Sequence, residues 1–380
     1  MYIQIKIIAK MAYKAKSACL YCIYFIASLL LFHTATAQTK FSGLDKWLDD
    51  HVKEMGGRAV LLIYKDGIIY SNSENDMTRR QKIAGKMIAK RSGKNPEEVL
   101  KDYTPDSRVP IASCSKWLSA ALVMTFVDEG KLQLKDTIGK FLPIMTQYGK
   151  GRITIQDCLS HMTGIKSGDQ KETRELSLSA TSMDEAMEGL AKKPMEAEPG
   201  TSFHYSSAGL QIAAAVIEKI SGKRFKTLFA ERIAWPCNML HTDFGTKPVP
   251  LAAGGALSSA NDYLNFLVMI LNKGIYNGKQ VLSKSSVDLM QMNYAEGKKI
   301  LYTPANAVNW GYGLGEWVIK DANGKASDAV SSPGLFGSFP WVDNKRQYAA
   351  ILLTFNFKNK GRAELYRSLK ETVDAVVTLQ

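Results

Sequence analysis

The decisive stretch of this chain is Val109-Pro110-Ile111-Ala112-Ser113-Cys114-Ser115-Lys116-Trp117-Leu118, which contains its only Ser-x-x-Lys motif. An apolar run with helical spacing follows, so a helix is predicted from Ser113 to about residue 130. Residues three apart share one helix face, which allows Ser113 and Lys116 to touch. A serine becomes a nucleophile when a base takes its proton, and a lysine amine of lowered pKa can be that base. An ordinary helix start, with a serine cap and a surface lysine, fits the motif as well.

Composition and charge narrow the class of protein. The 380 residues are 46% hydrophobic and 22% charged, which is typical of a globular chain with a large core in two lobes. The net charge is +13 at pH 7, but the basic residues are scattered among acids. A nucleic-acid-binding protein would instead show a clustered stripe and a recognisable motif. No Cys/His spacing indicates zinc, and no metal or organic cofactor is implied.

The first 37 residues have the pattern of a secretory signal peptide. Lysines come first, an apolar core spans 19–32, and Ala35-Thr36-Ala37 resembles a cleavage site. We therefore expect an exported protein, periplasmic or secreted, which meets a membrane only if this segment stays uncleaved as an anchor. The cleaved chain would keep an odd number of cysteines, so at least one thiol is free. They are Cys114, Cys158 and Cys237.

Strand patterns lie at both ends of the chain, and helix patterns lie between them. Near the start, a helix is predicted over 38–57, followed by a hairpin turned at Asp66-Gly67 and a polar surface insertion over 72–107. Near the end, strands are predicted before a final helix. Their ranges are 310–319, 336–343 and 348–355, with a turn at 321–324.

This order predicts an α/β (α+β) fold with an antiparallel sheet built from both ends of the chain and flanked by helices. Residues 38–112 and 245–380 would form the sheet domain. Residues 113–244 would form an inserted, mostly helical domain, with a helix capped by Thr154 and a polar loop over 166–184. The active site is expected between the two domains.

Five pieces of the chain, in this order, resemble the serine β-lactamase-like family, which includes class C β-lactamases, D-Ala-D-Ala carboxypeptidases and family VIII esterases. The resemblance extends from about residue 59 to the C-terminus and implies the β-lactamase/transpeptidase-like fold. The pieces are Ile111-Ala112-Ser113-Cys114-Ser115-Lys116, the run 153–164, Pro199-Gly200-Thr201-Ser202-Phe203-His204-Tyr205-Ser206, Gly254-Gly255-Ala256-Leu257-Ser258-Ser259 and Tyr312-Gly313-Leu314-Gly315.

The resemblance implies a role for each matched position. Ser113 would be the nucleophile, while Lys116 and Tyr205 would transfer protons among the serine, the amine and the leaving group. The backbone N–H groups of Ser113 and Leu335 would form an oxyanion hole, and Gly334 would let the substrate approach closely. His161 is expected to make structural hydrogen bonds, and the side chain of His204, which adjoins Tyr205, is expected to point away from the site. The spacing Gly-x-Ser-x-Gly is missing, which disfavours a Ser-His-Asp triad.

Two positions depart from the family pattern on the substrate side. Ser207 stands where the family has asparagine, and Ser332 stands where it has lysine or histidine. A serine cannot replace a cation that binds a substrate carboxylate. Ester and small amide or peptide substrates are therefore favoured over penicillins.

The sequence thus predicts an exported serine hydrolase that forms an acyl-enzyme on Ser113. One alternative is a β-lactamase or D-Ala-D-Ala carboxypeptidase. Another is a non-catalytic peptidoglycan-binding or penicillin-sensing protein of the same fold. The apolar segment around Trp341 suits either an acyl pocket or, as we expect, a buried strand.

Overall fold

The structure is a computed structural model that describes residues 40–93, 95–166, 179–320, 326–358 and 360–378. The predicted signal peptide and the predicted turn at 321–324 lie outside the described residues, as does most of the polar loop at 166–184. No helix among the described residues is both long and apolar enough to span a bilayer.

Twelve helices of the described chain are numbered here in chain order. They are α1 (40–51), α2 (Arg79–Ser92), α3 (Pro96–Leu100), α4 (Ser115–Asp128), α5 (Pro143–Gln147), α6 (Ile155–Leu159), α7 (Met183–Ala191), α8 (Ala208–Ser221), α9 (Phe225–Phe229), α10 (Ala260–Leu271), α11 (Lys284–Met290) and α12 (Arg362–Thr378). Short 3₁₀ turns lie at Ala112–Cys114, Ile138–Lys140 and Ala305–Ala307, and a π-helical turn continues α9 over Ala230–Ala234.

The strands are also numbered in chain order. They are β1 (Arg58–Tyr64), β2 (Ile68–Asn75), β3 (Val109–Pro110), β4 (Ser202–His204), β5 (Leu257–Ser258), β6 (Ile275–Tyr276), β7 (Lys279–Gln280), β8 (Lys299–Tyr302), β9 (Gly311–Tyr312), β10 (Trp317–Lys320), β11 (Ala326–Ser331), β12 (Phe339–Asp343) and β13 (Tyr348–Thr354).

Seven of these strands form one antiparallel sheet in the order β2-β1-β13-β12-β11-β10-β9. The first long strand pairs with the last, with Ala59 opposite Thr354 and Tyr64 opposite Ala349. The sheet is therefore built from both ends of the chain, which confirms the predicted fold class. The hairpin between β1 and β2 turns at Asp66, whose φ of 56° is a conformation that aspartate tolerates in turns.

Each face of the sheet is buried under helices. In β1, Val60 and Leu62 join the core that contains α4, α8 and α10, whereas Leu61 and Ile63 join the core beneath α1 and α12. A strand covered on both faces has little need for polar alternation, which explains the continuous apolar run of β1. Trp341 lies in the second core and is fully buried, so its segment is the buried strand that the sequence analysis expected.

Some predicted elements differ in the structure. The helix expected from Ser113 starts at Ser115, because Ala112 has a φ of 47° and Ser113 lies in the preceding 3₁₀ turn. The strand expected at 310–319 is split into β9 and β10 by Gly315, whose φ is 83°. The strand expected at 336–343 begins only at Phe339, because the residues before it form a turn.

Candidate active site

Ser113 lies at the junction between β3 and α4, where the backbone is held from several directions. Its neighbour Ser115 donates a hydrogen bond to the Ala112 carbonyl oxygen at 2.6 Å and accepts one from the Ala256 N–H at 3.0 Å. The Tyr263 hydroxyl donates to the carbonyl of the intervening cysteine at 2.8 Å. With the Ser113 side chain 8% exposed, the turn presents a single hydroxyl at the edge of a rigid core.

Lys116 lies one turn further along and directs its amine at that hydroxyl. Its Nζ is 3.1 Å from Ser113 Oγ and 2.8 Å from the Ala253 carbonyl oxygen. The side chain is only 2% exposed, and this burial lowers the pKa of Lys116 to about 7. A substantial fraction of the amine is then unprotonated near neutral pH, so it can accept the proton of a serine within hydrogen-bond distance.

Tyr205 completes a cluster of three functional side chains around the same point. Burial raises the pKa of the Tyr205 hydroxyl, and a hydrogen bond with Ser113 opposes that rise. The Lys116 Nζ lies 4.8 Å from the centroid of the Tyr205 ring. The structure thus brings Ser113, Lys116 and Tyr205 together, although Tyr205 comes from a distant part of the sequence between β4 and α8.

His161 supports the position of Tyr205 from behind. Its Nδ1 accepts a hydrogen bond from the Ser206 N–H at 3.3 Å, and its Nε2 lies 2.9 Å from the Tyr312 hydroxyl. Because Nδ1 is an acceptor, we place the ring proton on Nε2, from which it is donated to Tyr312. Burial lowers the pKa of His161 well below its ordinary value, so the ring stays neutral. The ring centroids of His161 and Tyr205 are 4.5 Å apart.

His161 therefore makes the structural hydrogen bonds that the sequence analysis expected. The other histidine beside Tyr205 also faces a partner, because His204 Nδ1 lies 2.6 Å from a carboxylate oxygen of Glu196. The role of Tyr312 was not anticipated. Its Tyr-Gly-Leu-Gly piece was visible in the sequence, but nothing local indicated which side chain it would contact.

The Ser332 hydroxyl does not face open space. It donates to the Ser113 carbonyl oxygen at 3.1 Å, with the Gly315 carbonyl oxygen at 3.4 Å, and the residue is buried. Ser332 therefore holds the backbone of the Ser113 turn. Ser207 is half-buried at the N-terminus of α8, where its side chain makes no capping hydrogen bond.

Gly334 packs against the segment that leads to Ser113. A Cβ at this position would lie 2.4 Å from the Ile111 carbonyl oxygen and 3.1 Å from Cys114 Sγ, so only glycine allows this approach. The next residue, Leu335, is 43% exposed, and its carbonyl oxygen accepts a hydrogen bond from Arg362 at 2.6 Å. The two predicted oxyanion-hole residues thus belong to segments in direct contact.

The cysteines do not add a second nucleophile. Cys114, Cys158 and Cys237 are all free and buried, which confirms the expectation of a free thiol. Burial raises the pKa of the Cys114 thiol, so it stays protonated and unreactive beside Ser113.

Glu316 is a buried carboxyl group that the sequence analysis missed. It is 0% exposed, and in the part of the chain that the structure describes neither of its carboxyl oxygens is hydrogen-bonded. Burial raises the pKa of Glu316 well above its ordinary value, against the opposing charge of Lys273 and an interaction with the Trp117 side chain. Burial therefore favours the protonated form of this carboxyl group behind α4.

Replacing Glu316 by glutamine is expected to make stability less sensitive to pH. The folded state holds a proton that the unfolded state loses above its ordinary carboxyl pKa, so wild-type stability falls as pH rises above about 4.5. Glutamine has no proton to lose. The variant should be more stable than wild type at pH 8 by more than about 1 kcal/mol, with a smaller difference at pH 5.

Urea unfolding at both pH values measures this effect. The matched control is Glu364→Gln, because Glu364 lies on the exposed start of α12. An equal pH response of the Glu316→Gln variant and wild type would show that Glu316 is already ionised in the folded protein.

The chain is similar to known proteins over most of its length. A profile of the Beta-lactamase family matches residues 44–374. Protein Rv1367c of Mycobacterium tuberculosis is 27% identical over 291 residues, which cover 62% of this chain and 72% of that protein.

Solved structures show the same likeness. A proposed beta-lactamase from Bacteroides dorei DSM 17855 superposes with a TM-score of 0.71 at 25% identity, covering 89% of this chain and 99% of that one. EstCE1, a hydrolase with promiscuous acyltransferase activity, superposes with a TM-score of 0.69 at 20% identity. The superposition covers 89% of this chain and 99% of EstCE1, and at this identity it shows a shared fold alone. Because the family profile matches most of its length, the chain belongs to the Beta-lactamase family of serine hydrolases.

Proposed function

We propose that this chain is an exported serine hydrolase that forms an acyl-enzyme on Ser113 and acts on esters, small amides or peptides. The observation that carries the proposal is the buried Lys116 amine, 3.1 Å from Ser113 Oγ, with its pKa lowered to about 7 by burial. A surface lysine that merely follows a capping serine would be solvated and fully protonated. The same geometry therefore argues against the ordinary-helix-start interpretation of the motif.

Proton transfer can be assigned from the directions of the pKa shifts. Lys116 accepts the Ser113 proton as Oγ attacks the substrate carbonyl carbon. The raised pKa of Tyr205 keeps its hydroxyl protonated, so Tyr205 suits donation to the leaving group and takes a proton back from Lys116. The developing oxyanion would accept hydrogen bonds from the N–H groups of Ser113 and Leu335. Water then attacks the acyl carbon, and Ser113 recovers its proton.

The substrate side of the proposal rests on Ser332, which stands where the family has a cation, and on Ser207, which stands where it has asparagine. Neither serine can form the charge-assisted bond that a carboxylate-bearing substrate would use at this place. The Ser332 hydroxyl is moreover engaged with the main chain. Neutral small-molecule esters and amides therefore fit better than penicillins. Export follows from the signal-like pattern of residues 1–37, and the site would lie between the sheet domain and the inserted helical domain.

One substrate panel tests the proposal. We expect hydrolysis of p-nitrophenyl esters above the rate for nitrocefin and D-Ala-D-Ala peptides. A fluorophosphonate should add one phosphonyl group to the protein, on the peptide that contains Ser113. A protein that neither hydrolyses any panel member nor takes up the label would contradict the proposal. Ligand binding without acylation would instead support the peptidoglycan-binding alternative, and a product burst without turnover would support the penicillin sensor.

A further inference from the structure

Three phenylalanine rings pack together beside Gly334 and Leu335 in a partly exposed cluster, which we call the aromatic wall. It consists of Phe336, Phe355 and Phe357. The ring centroids are 4.8 Å apart for Phe336 and Phe355, 5.2 Å for Phe336 and Phe357, and 5.1 Å for Phe355 and Phe357. Phe357 is nevertheless 63% exposed. Phe336 and Phe355 are half-buried, so the wall presents Phe357 and the exposed parts of the other two rings to solvent as one apolar surface. A contiguous exposed apolar surface commonly marks a binding site.

The aromatic wall is connected to the segment that contacts the Ser113 turn. Phe336 comes two residues after Gly334, which touches the backbone two residues before Ser113. Phe355 follows β13 and packs against the larger of the two cores, the one that also includes Ile111 and Cys114. Leu335, whose N–H is the proposed oxyanion donor, adds an exposed apolar side chain to the same edge.

The backbone beneath the aromatic wall is held in place. The Asn356 N–H donates to the Phe336 carbonyl oxygen at 2.7 Å, which ties the two segments together. The buried Arg362 guanidinium then donates to the carbonyl oxygens of Leu335 at 2.6 Å, Asn356 at 3.0 Å and Lys358. A binding surface whose backbone is already ordered loses little freedom when a ligand arrives.

We propose that the aromatic wall binds the acyl group of the substrate and makes the enzyme selective for esters with apolar acyl chains. This inference rests on the proposed function, because it assigns the substrate class of the same site. An acyl group attached to Ser113 would lie between the serine and the wall, where each added methylene leaves water. A single methylene in such a site changes kcat/KM by about 10- to 200-fold at most.

The test compares p-nitrophenyl acetate, butyrate and hexanoate on the full chain. In wild type, kcat/KM for hexanoate should exceed that for acetate by about 10-fold or more. Phe357→Ala should reduce the hexanoate-to-acetate ratio by about 5- to 10-fold, while Phe357→Leu should retain most of it, because leucine restores apolar contact. The matched control is Trp235→Ala, an equally exposed aromatic directly after the π-helical turn at Ala230–Ala234, which should leave the ratio unchanged.

The outcomes separate this inference from the proposed function. Two results would show that the aromatic wall does not bind the acyl group. One is ester hydrolysis with the same kcat/KM for every chain length, and the other is a hexanoate-to-acetate ratio that Phe357→Ala does not change. Both would leave the acyl-enzyme proposal unaffected. A preference for a glutarate half-ester over hexanoate would also overturn the inference about the aromatic wall, because the acyl group would then be bound by its charge. A complete absence of hydrolysis and labelling would instead remove the proposed function.

Discussion

Replacing Ser113 by alanine is expected to lower kcat for ester hydrolysis by about 10⁴- to 10⁶-fold and to prevent phosphonylation. Lys116→Ala should lower kcat by about 10²- to 10⁴-fold, because the hydroxyl remains but loses the amine 3.1 Å away. The double variant should be no slower than Ser113→Ala alone, since the two groups act as one unit and their losses do not add. Steady-state rates with a p-nitrophenyl ester, together with intact-protein mass, measure all three.

Ser115→Ala is the matched control for these variants. Ser115 lies two residues from Ser113, but its hydroxyl bonds the backbone of Ala112 and Ala256. Its loss should cost about 1–3 kcal/mol of stability and leave phosphonylation intact. Phosphonylation that survives in Ser113→Ala and disappears in Ser115→Ala would show that Ser115, not Ser113, is the nucleophile.

The pH profile gives a second readout of Lys116. The active form is the unprotonated amine, so wild-type kcat/KM should rise with pH and level off above the pKa of about 7. Activity should therefore be lost as pH falls through 7. Lys116→Ala should show a profile without this rise. Measurements from pH 5.5 to 9 would contradict the assignment if both proteins rose with the same midpoint.

Replacing Gly334 by alanine is expected to damage both activity and stability. The new Cβ would lie 2.4 Å from the Ile111 carbonyl oxygen, a backbone atom that cannot rotate away. The strand end and the Ser113 turn must separate, and a displacement of about 1 Å at a reacting group costs about 100-fold in rate. The free energy of unfolding should fall by about 1–3 kcal/mol, as for other overpacked sites. Ester kinetics and urea unfolding measure the two effects.

Gly43→Ala is the control for Gly334→Ala. Gly43 lies in α1, and among the described residues no atom beyond its chain neighbours and the backbone of its own helix is within 4 Å of the position of its added Cβ. Alanine favours the helix over glycine by up to about 1 kcal/mol, so this variant should be as stable as wild type or more so, and fully active. If Gly334→Ala had wild-type kinetics, the contact between Gly334 and the Ile111 carbonyl oxygen would not be needed for the proposed oxyanion hole.

Much of the fold could be predicted because its signals are local. The hairpin at Asp66-Gly67 depends on two turn residues between apolar runs. The cap of α6 depends on Thr154 and Asp157, which form a reciprocal capping box three residues apart. The contact of Ser113 with Lys116 likewise depends on helical spacing. The division into domains at residues 113 and 244 stays a prediction.

Other features of the site depend on contacts between distant segments. Tyr205 reaches Ser113 only because α8, which begins three residues after Tyr205, packs beside α4. His161 meets Tyr312 across a sequence separation of 151 residues. The sequence shows Ser332 as an altered family position, but only the fold shows that its hydroxyl bonds the Ser113 carbonyl. In the sequence, Glu316 cannot be distinguished from an exposed acidic residue. Only the fold shows that its carboxyl group is buried, which raises the pKa of that group.

Local spacing and capping were thus sufficient to predict the strands at both ends, the helix after Ser113 and the proximity of serine and lysine. Backbone geometry within a few residues governs these features, whatever surrounds them. Tertiary packing alone decides the environment of each group, because burial sets the pKa of Lys116 and non-local contacts assemble the aromatic wall. The Ser-x-x-Lys motif therefore predicts the chemistry, and the folded surroundings determine whether the amine is basic and, as we propose, which acyl groups the site accepts.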